Sequence, residues 1–246
     1  MTDLTPQAAA DRIAQLAKTR RVDSYPESSG SRSGTSWRTQ TFDRPPPMKP
    51  SPLSVERTTV DQVAYRVKAA KFPDRHLARA VADEHDNSQW CDKFAKVTSL
   101  INKGSLLIFC GPNGNGKTQM GVSLGLVVCR SNRRVRYVKG SGYIDALTAT
   151  YGGGDGPSTE TVKDRFSSYD LLIWDEAHVA LRSDHQTEES RLLIDRRYDA
   201  KRTTILITNT APEALDKVFG TYLTDRANEC GGVVEFDWPS FRSHQR

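Results

Sequence analysis

At 246 residues with 37% apolar side chains, the chain suits one domain of ordinary size plus appendages that carry too little apolar surface to fold. Its net charge of +5 and pI near 9.0 fit a nucleic-acid partner without establishing one. Four widely spaced cysteines (Cys91, Cys110, Cys129, Cys230) point to neither a disulfide framework nor a zinc site, and no run is apolar enough for a signal peptide or a membrane span, so a reduced cytoplasmic setting without membrane attachment is expected.

In chain order, Ala9, Ile13, Leu16 and Ala17 share one face of a short helix within residues 1–20. That helix suits either docking in a partner's groove or a loosely ordered terminus. Residues 21–60, rich in Ser, Pro and Arg and lacking periodicity, read as a flexible linker, which leaves 61–246 for the folded domain. Trp90, Phe94, Val97 and Ile101 recur at helical spacing, and this helix ends near Gly104. Leu106 to Cys110 is then a short, unbroken apolar run, as expected of a strand buried on both faces of a parallel sheet.

The next eight residues are Gly111, Pro112, Asn113, Gly114, Asn115, Gly116, Lys117 and Thr118, which fit the phosphate-loop pattern G-x-x-x-x-G-K-[ST]. Glycines allow successive backbone N–H groups to face phosphate oxygens, and the following helix, read from Gln119 to Val128, directs its positive end at the same anion. Lys117 is placed to reach the β- and γ-phosphates of ATP, and Thr118 to ligate Mg²⁺. Val135 to Val138 form a second strand, surrounded by Arg130, Arg133, Arg134, Arg136 and Lys139. The basic run is either a solvated edge or a contact for a nucleic-acid backbone. Tyr143, Ile144, Leu147 and Tyr151 mark a helix face before a glycine-rich loop, Gly152 to Pro157, that is mobile by composition. Tyr151 is either a core residue or a stacking platform for a base.

Leu171 to Trp174 make a third buried strand that ends in Asp175 and Glu176. Two carboxylates at the C-terminal end of a parallel strand lie where ligands bind in such sheets. Asp175 would hold Mg²⁺, and Glu176 would orient or deprotonate the attacking water. His178 and His185 lack the surrounding ligands of a metal cluster. Thr203 to Thr208 form a fourth strand, and Asn209 after it can hold water or sense the γ-phosphate. Thr210 and Glu213 have the spacing of a capping box, with Pro212 in the first turn. A later helix carries Asp225 and Arg226, and Val233 to Asp237 form a fifth strand.

This order of motifs defines an AAA+ core, an α/β P-loop fold with a five-stranded parallel sheet between helices. The stretches IDRRYDAKRTTILITNT and YLTDRANECGGVVEFDWPSFR, with TATY before the glycine loop, resemble DnaC-type helicase loaders and the related IstB transposition ATPases over roughly Lys71 to Arg242. The resemblance implies an ATPase that assembles on single-stranded DNA and helps load the hexameric ring of the replicative helicase. It further implies that Arg226 is an arginine finger offered to a neighbouring copy, that Tyr151 lies on a DNA-contacting helix, and that no C-terminal helical lid follows the fifth strand. By surface chemistry alone, Arg226 would instead pair with a nearby carboxylate such as Asp225 or Glu229. Competing functions are an IstB-like transposition helper and an ATP-switched module that binds single-stranded DNA with little hydrolysis. The string DEAH at Asp175 to His178 also occurs in a helicase superfamily that needs two such domains, for which this chain has no room.

Overall fold

The computed structural model describes residues 52–82, 87–151, 156–181 and 183–241. The short helix expected within 1–20, the linker up to residue 51 and Gly152 to Asp155 of the glycine loop lie outside them. The apolar runs become strands β1 (Leu106–Cys110), β2 (Val135–Lys139), β3 (Leu171–Asp175), β4 (Thr203–Ile207) and β5 (Gly232–Glu235). All four pairings are parallel, in the order β2-β3-β4-β1-β5.

Parallel strands need covering on both faces, because their crossovers place helices there. Helices α1 (Pro52–Ala70), α2 (Asp74–Ala82), α3 (Ser88–Thr98) and α4 (Lys117–Arg130) pack on one face. On the other lie α5 (Gly142–Thr148), α6 (Thr159–Ser167), α7 (Asp184–Asp199), α8 (Leu215–Phe219) and α9 (Thr221–Cys230). The alternation of β1 divides its side chains between the two cores: Leu107 and Phe109 join the first, while Leu106, Ile108 and Cys110 join the second. Each large apolar side chain buried this way contributes about 1.5–3 kcal/mol.

Two local readings are corrected, and one helix lacks a local signal. The linker does not extend to residue 60, since α1 begins at Pro52, where a missing backbone N–H costs nothing in a first turn. Helix α6 carries no periodicity strong enough to announce it, although Ser158 caps it by accepting from the Thr161 N–H at 3.2 Å. Thr210 caps no helix, because its hydroxyl pairs with that of Thr208 at 2.8 Å. The chain turns through a 3₁₀ segment, Pro212–Ala214, before α8.

One buried cation ties the second core together. Arg197 of α7 is fully buried, and among the described residues its guanidinium bonds to carbonyls and a hydroxyl rather than to a carboxylate. Its Nη1 donates to the carbonyls of Phe166 (2.9 Å), Ser167 (3.2 Å) and Tyr169 (2.8 Å) at the end of α6. Its Nη2 donates to the Thr203 carbonyl at 2.5 Å and its Nε to the Thr204 hydroxyl at 2.9 Å. Burial pulls the guanidinium down to about 9, so it remains charged at neutral pH. Removing it would leave several buried carbonyls unpaired, each costing ~1–3 kcal/mol before relaxation. Arg197→Ala should therefore lower unfolding free energy by roughly 3 kcal/mol or more, read as a fall in the urea midpoint. A midpoint within error of wild type would show that the fork is dispensable.

Candidate nucleotide site

At the C-terminal end of β1 the chain leaves the sheet through Gly111, Gly114 and Gly116, with φ of +120°, +86° and +91°. At Gly111 a Cβ would stand 2.5 Å from the Phe236 carbonyl oxygen, so only glycine fits. Lys117 opens α4, and its buried Nζ donates to the carbonyls of Gly111 (2.7 Å) and Pro112 (2.5 Å) and to Asn115 Oδ1 (3.1 Å). The segment after β5 closes the loop from outside. Asn115 Nδ2 donates to the Phe236 carbonyl, Trp238 Nε1 to the Asn115 carbonyl (2.9 Å), and the Phe241 N–H to the Gly114 carbonyl (3.0 Å). Sequence reasoning gave these three aromatic residues no part in the site, and their clustering just after the fifth strand was the available signal.

Behind the loop, Thr118 Oγ1 donates to Asp175 Oδ2 at 2.9 Å. The Tyr137 hydroxyl of β2 donates to the same oxygen at 2.7 Å, and the Glu176 N–H donates to Oδ1 at 2.9 Å. The Asp175 carboxylate is thus held at both oxygens. Tyr137 was not read as a site residue. Burial first, and the adjacent Asp175 charge second, push its phenol well above the usual range, so it stays a donor. Glu176 sits in the left-handed region at φ +52°, an uncommon conformation for a residue with a Cβ, and pairs with Lys139 Nζ at 3.2 Å. Asn209, two residues beyond β4, is exposed and lines the same cavity of about 680 Å³ as Lys117, Thr118, Asp175 and Glu176. The donor set suits a phosphorylated ligand and a hard cation: loop glycines, an ammonium, a hydroxyl and a carboxylate.

The other expected residues lie apart. Arg226 of α9 is not among the residues around this cavity. Its ion-pair partner is neither Asp225 nor Glu229. Its Nη1 donates to Asp195 Oδ1 at 2.8 Å, and its guanidinium lies between the rings of Tyr198 (4.4 Å) and Tyr222 (4.3 Å). Tyr151 is about half exposed, with its hydroxyl 3.2 Å from His185 Nε2. The basic run forms no single patch. Arg133 pairs with Asp170 (3.9 Å), and Arg134 donates to the Ser168 carbonyl (2.7 Å), both before β3 begins. Arg136 reaches the Ala69 carbonyl of α1 at 3.4 Å, whereas Lys139 lines the cavity at the opposite end of β2. A strand alternates its side chains and separates its ends, so residues consecutive in sequence diverge here.

A parallel sheet in this order, with a phosphate loop after β1 and two carboxylates after β3, is an AAA+ P-loop core. A family model described as IstB-like ATP binding protein matches residues 56–246, and the chain belongs to that family. The replicative helicase loader DnaC of Escherichia coli strain K12 is 28% identical over 137 residues, covering 55% of this chain and 56% of the relative. The chain thus spans about half the length of that relative. The loader of the same name from Buchnera aphidicola subsp. Schizaphis graminum is 25% identical over 166 residues, 66% of this chain and 68% of the relative. Among solved structures, a DnaC helicase loader superposes with a TM-score of 0.56 at 18% identity, over 66% of this chain and 99% of the other. AMPPCP-bound DnaA from Aquifex aeolicus does so with 0.53 at 21% identity, over 63% and 48%. These two likenesses establish the fold. Among the described residues, no helix is long and apolar enough to cross a membrane.

Tyr137→Phe keeps the ring and removes one donor to a buried carboxylate. It should cost about 1.5–3 kcal/mol of stability, measured by denaturant unfolding without added nucleotide. An unchanged midpoint would mean that the Asp175 carboxylate is held without Tyr137.

Proposed function

We propose that this chain is an ATPase that assembles on single-stranded DNA and helps load a ring-shaped replicative helicase. The observation that carries the reading is the convergence of Lys117, the Thr118–Asp175 pair and Glu176 on one cavity. The relatives named as replicative helicase loaders supply the partner class. In this reading the loop from Gly111 to Gly116 and Lys117 bind the phosphates of ATP. Thr118 and Asp175 hold Mg²⁺, which supplies charge neutralisation at phosphate oxygens when bound. Glu176 takes the proton of the attacking water at its carboxylate, and Asn209 orients that water. Tyr151, about half exposed, is the candidate for base stacking, and Arg133, Arg134, Arg136 and Lys139 are the candidates for backbone contact. A second reading, an IstB-like transposition helper, is favoured by the description of the matching family.

Purified protein should hydrolyse ATP slowly with Mg²⁺, faster on single-stranded DNA. Lys117→Ala should abolish nucleotide binding, while Glu176→Gln should bind ATP normally and turn over at least ~100-fold more slowly. Turnover equal to wild type in the Glu176 variant would remove that residue from the mechanism. Adding the host's hexameric helicase should yield ATP-dependent loading onto a DNA circle. Intact ATPase activity with no loading, together with capture of a transposase, would favour the second reading.

Arg226 is proposed to act in a neighbouring copy's site. Arg226→Ala should keep monomer stability and ATP affinity, yet lose hydrolysis by ~10³-fold or more. Mixing it with the Lys117→Ala protein should recover activity, since an intact lysine and an intact arginine can then meet across one interface. Rates that stay at the mutant baseline at every ratio, with both proteins co-assembled, would confine Arg226 to its contact with Asp195.

A further inference from the structure

The phosphate loop, Thr118 and Asp175 share their cavity with a wall from α2 and the start of α3: Pro73, Arg75, His76, Arg79, Asn87 and Trp90. For a nucleotide with its phosphates in the loop, this wall lies within the same cavity and is available to the base. Two arginines and a capping amide supply its other polar side chains. Arg75 and Arg79 can only donate. Asn87 Oδ1 is taken up by the Trp90 N–H at 2.8 Å, where it caps α3, and the Trp90 indole N–H faces the Gly116 carbonyl at 3.5 Å.

His76 differs. Gln119, in the first turn of α4, donates through Nε2 to the His76 carbonyl at 3.1 Å and to Ser123 Oγ at 3.4 Å. That orientation sets Gln119 Oε1 against His76 Nδ1 at 2.9 Å. An amide oxygen cannot donate, so Nδ1 carries the proton, and Nε2 of the neutral ring is left as an acceptor. Among the described residues Nε2 has no hydrogen-bond partner. It is an unengaged ring acceptor on this wall, beside the second lone pair of Asn87 Oδ1.

We propose that His76 selects the base of the bound nucleotide: Nε2 accepts a hydrogen bond from the exocyclic amine of adenine and disfavours a purine with a carbonyl oxygen at that position. Gln119 is the positioning residue that fixes the tautomer. The proposal rests on the nucleotide-binding reading of the phosphate loop. An acceptor facing a carbonyl leaves two lone pairs opposed and one polar group unpaired, which is how such sites reject near-isosteres.

Purine riboside triphosphate tests this cleanly, because it keeps the shape of ATP and lacks only the amine. In competition binding on the full chain with Mg²⁺, the wild type should prefer ATP to this analogue by about 5- to 10-fold, with GTP weaker still. His76→Ala should bring ATP and the analogue within about twofold of each other. Gln119→Leu, which keeps the ring but releases it, should narrow the preference part way. The Lys117→Ala protein serves as the control for the site itself. If it binds ATP as well as wild type, the nucleotide lies elsewhere and both readings fall. If binding depends on Lys117 but the wild type does not prefer ATP, or the preference survives His76→Ala, selection by His76 is wrong while the phosphate site stands. The wild-type comparison requires no variant, so a poorly folding His76 protein leaves the test intact.

Discussion

β1 lies between β4 and β5 with all five of its side chains buried, so its backbone and both of its faces are committed inside the sheet. The phosphate loop, β4 and β5 must therefore all emerge at one edge. At that edge the strand order departs from the chain order, the place where open parallel sheets leave a crevice for ligands. Lys117, Asp175 and Asn209 come from the C-terminal ends of three different strands or the turns after them, and the sheet order brings them around one cavity. The loop also borrows from β5, since Asn115 and Gly114 are held by the chain just beyond that strand.

Two buried cations show how similar chemistry serves different ends. Arg197 spends its donors on carbonyls from the end of α6 and from β4, and it is not among the residues around the nucleotide cavity. A planar guanidinium suits such fixed, divergent acceptors. Lys117 is also ringed by oxygens, but its partners are two loop carbonyls and an amide at the cavity wall. A compact ammonium on a flexible stem can exchange such partners for phosphate oxygens at little cost in geometry. The acidic side follows the same division. Asp175 is held at both oxygens by Thr118, Tyr137 and the Glu176 backbone, whereas the Glu176 carboxylate is partly exposed and pairs with Lys139.

The α7–α9 surface is a separate polar centre. Asp195 accepts from Arg226, Arg191 and the Tyr222 hydroxyl, while Tyr198 and Tyr222 flank the Arg226 guanidinium. Flat rings on both sides hold an arginine extended without a deep pocket, and stacking of this kind adds to the ion pair. A partly exposed pair such as Arg226–Asp195 contributes little to stability by itself, so the arrangement governs orientation more than folding.

The sequence by itself determined the elements whose signals are local. Unbroken apolar runs marked β1 and β3, because a strand buried on both faces needs no alternation, and short β-branched or aromatic runs marked the other three. The spacing of Gly111 to Thr118 and the carboxylates after Trp174 marked the phosphate and acidic ends, because backbone approach and metal charge demand those residue types at those separations. Only the tertiary structure decided what depends on neighbours far apart in the chain. Tyr137 became a site residue because β2 pairs with β3 in a register that sets Lys139 beside Asp175. His76 and Gln119 met because α2 packs on α4, and Arg226 found Asp195 across α7 rather than an acid of its own helix. The basic run from Arg133 to Lys139 was continuous in sequence and divided in space, since a strand carries its residues to opposite ends of the sheet. Residue type and spacing state which chemistry a chain can perform, but a hydrogen bond is made only where packing brings donor and acceptor within about 3 Å.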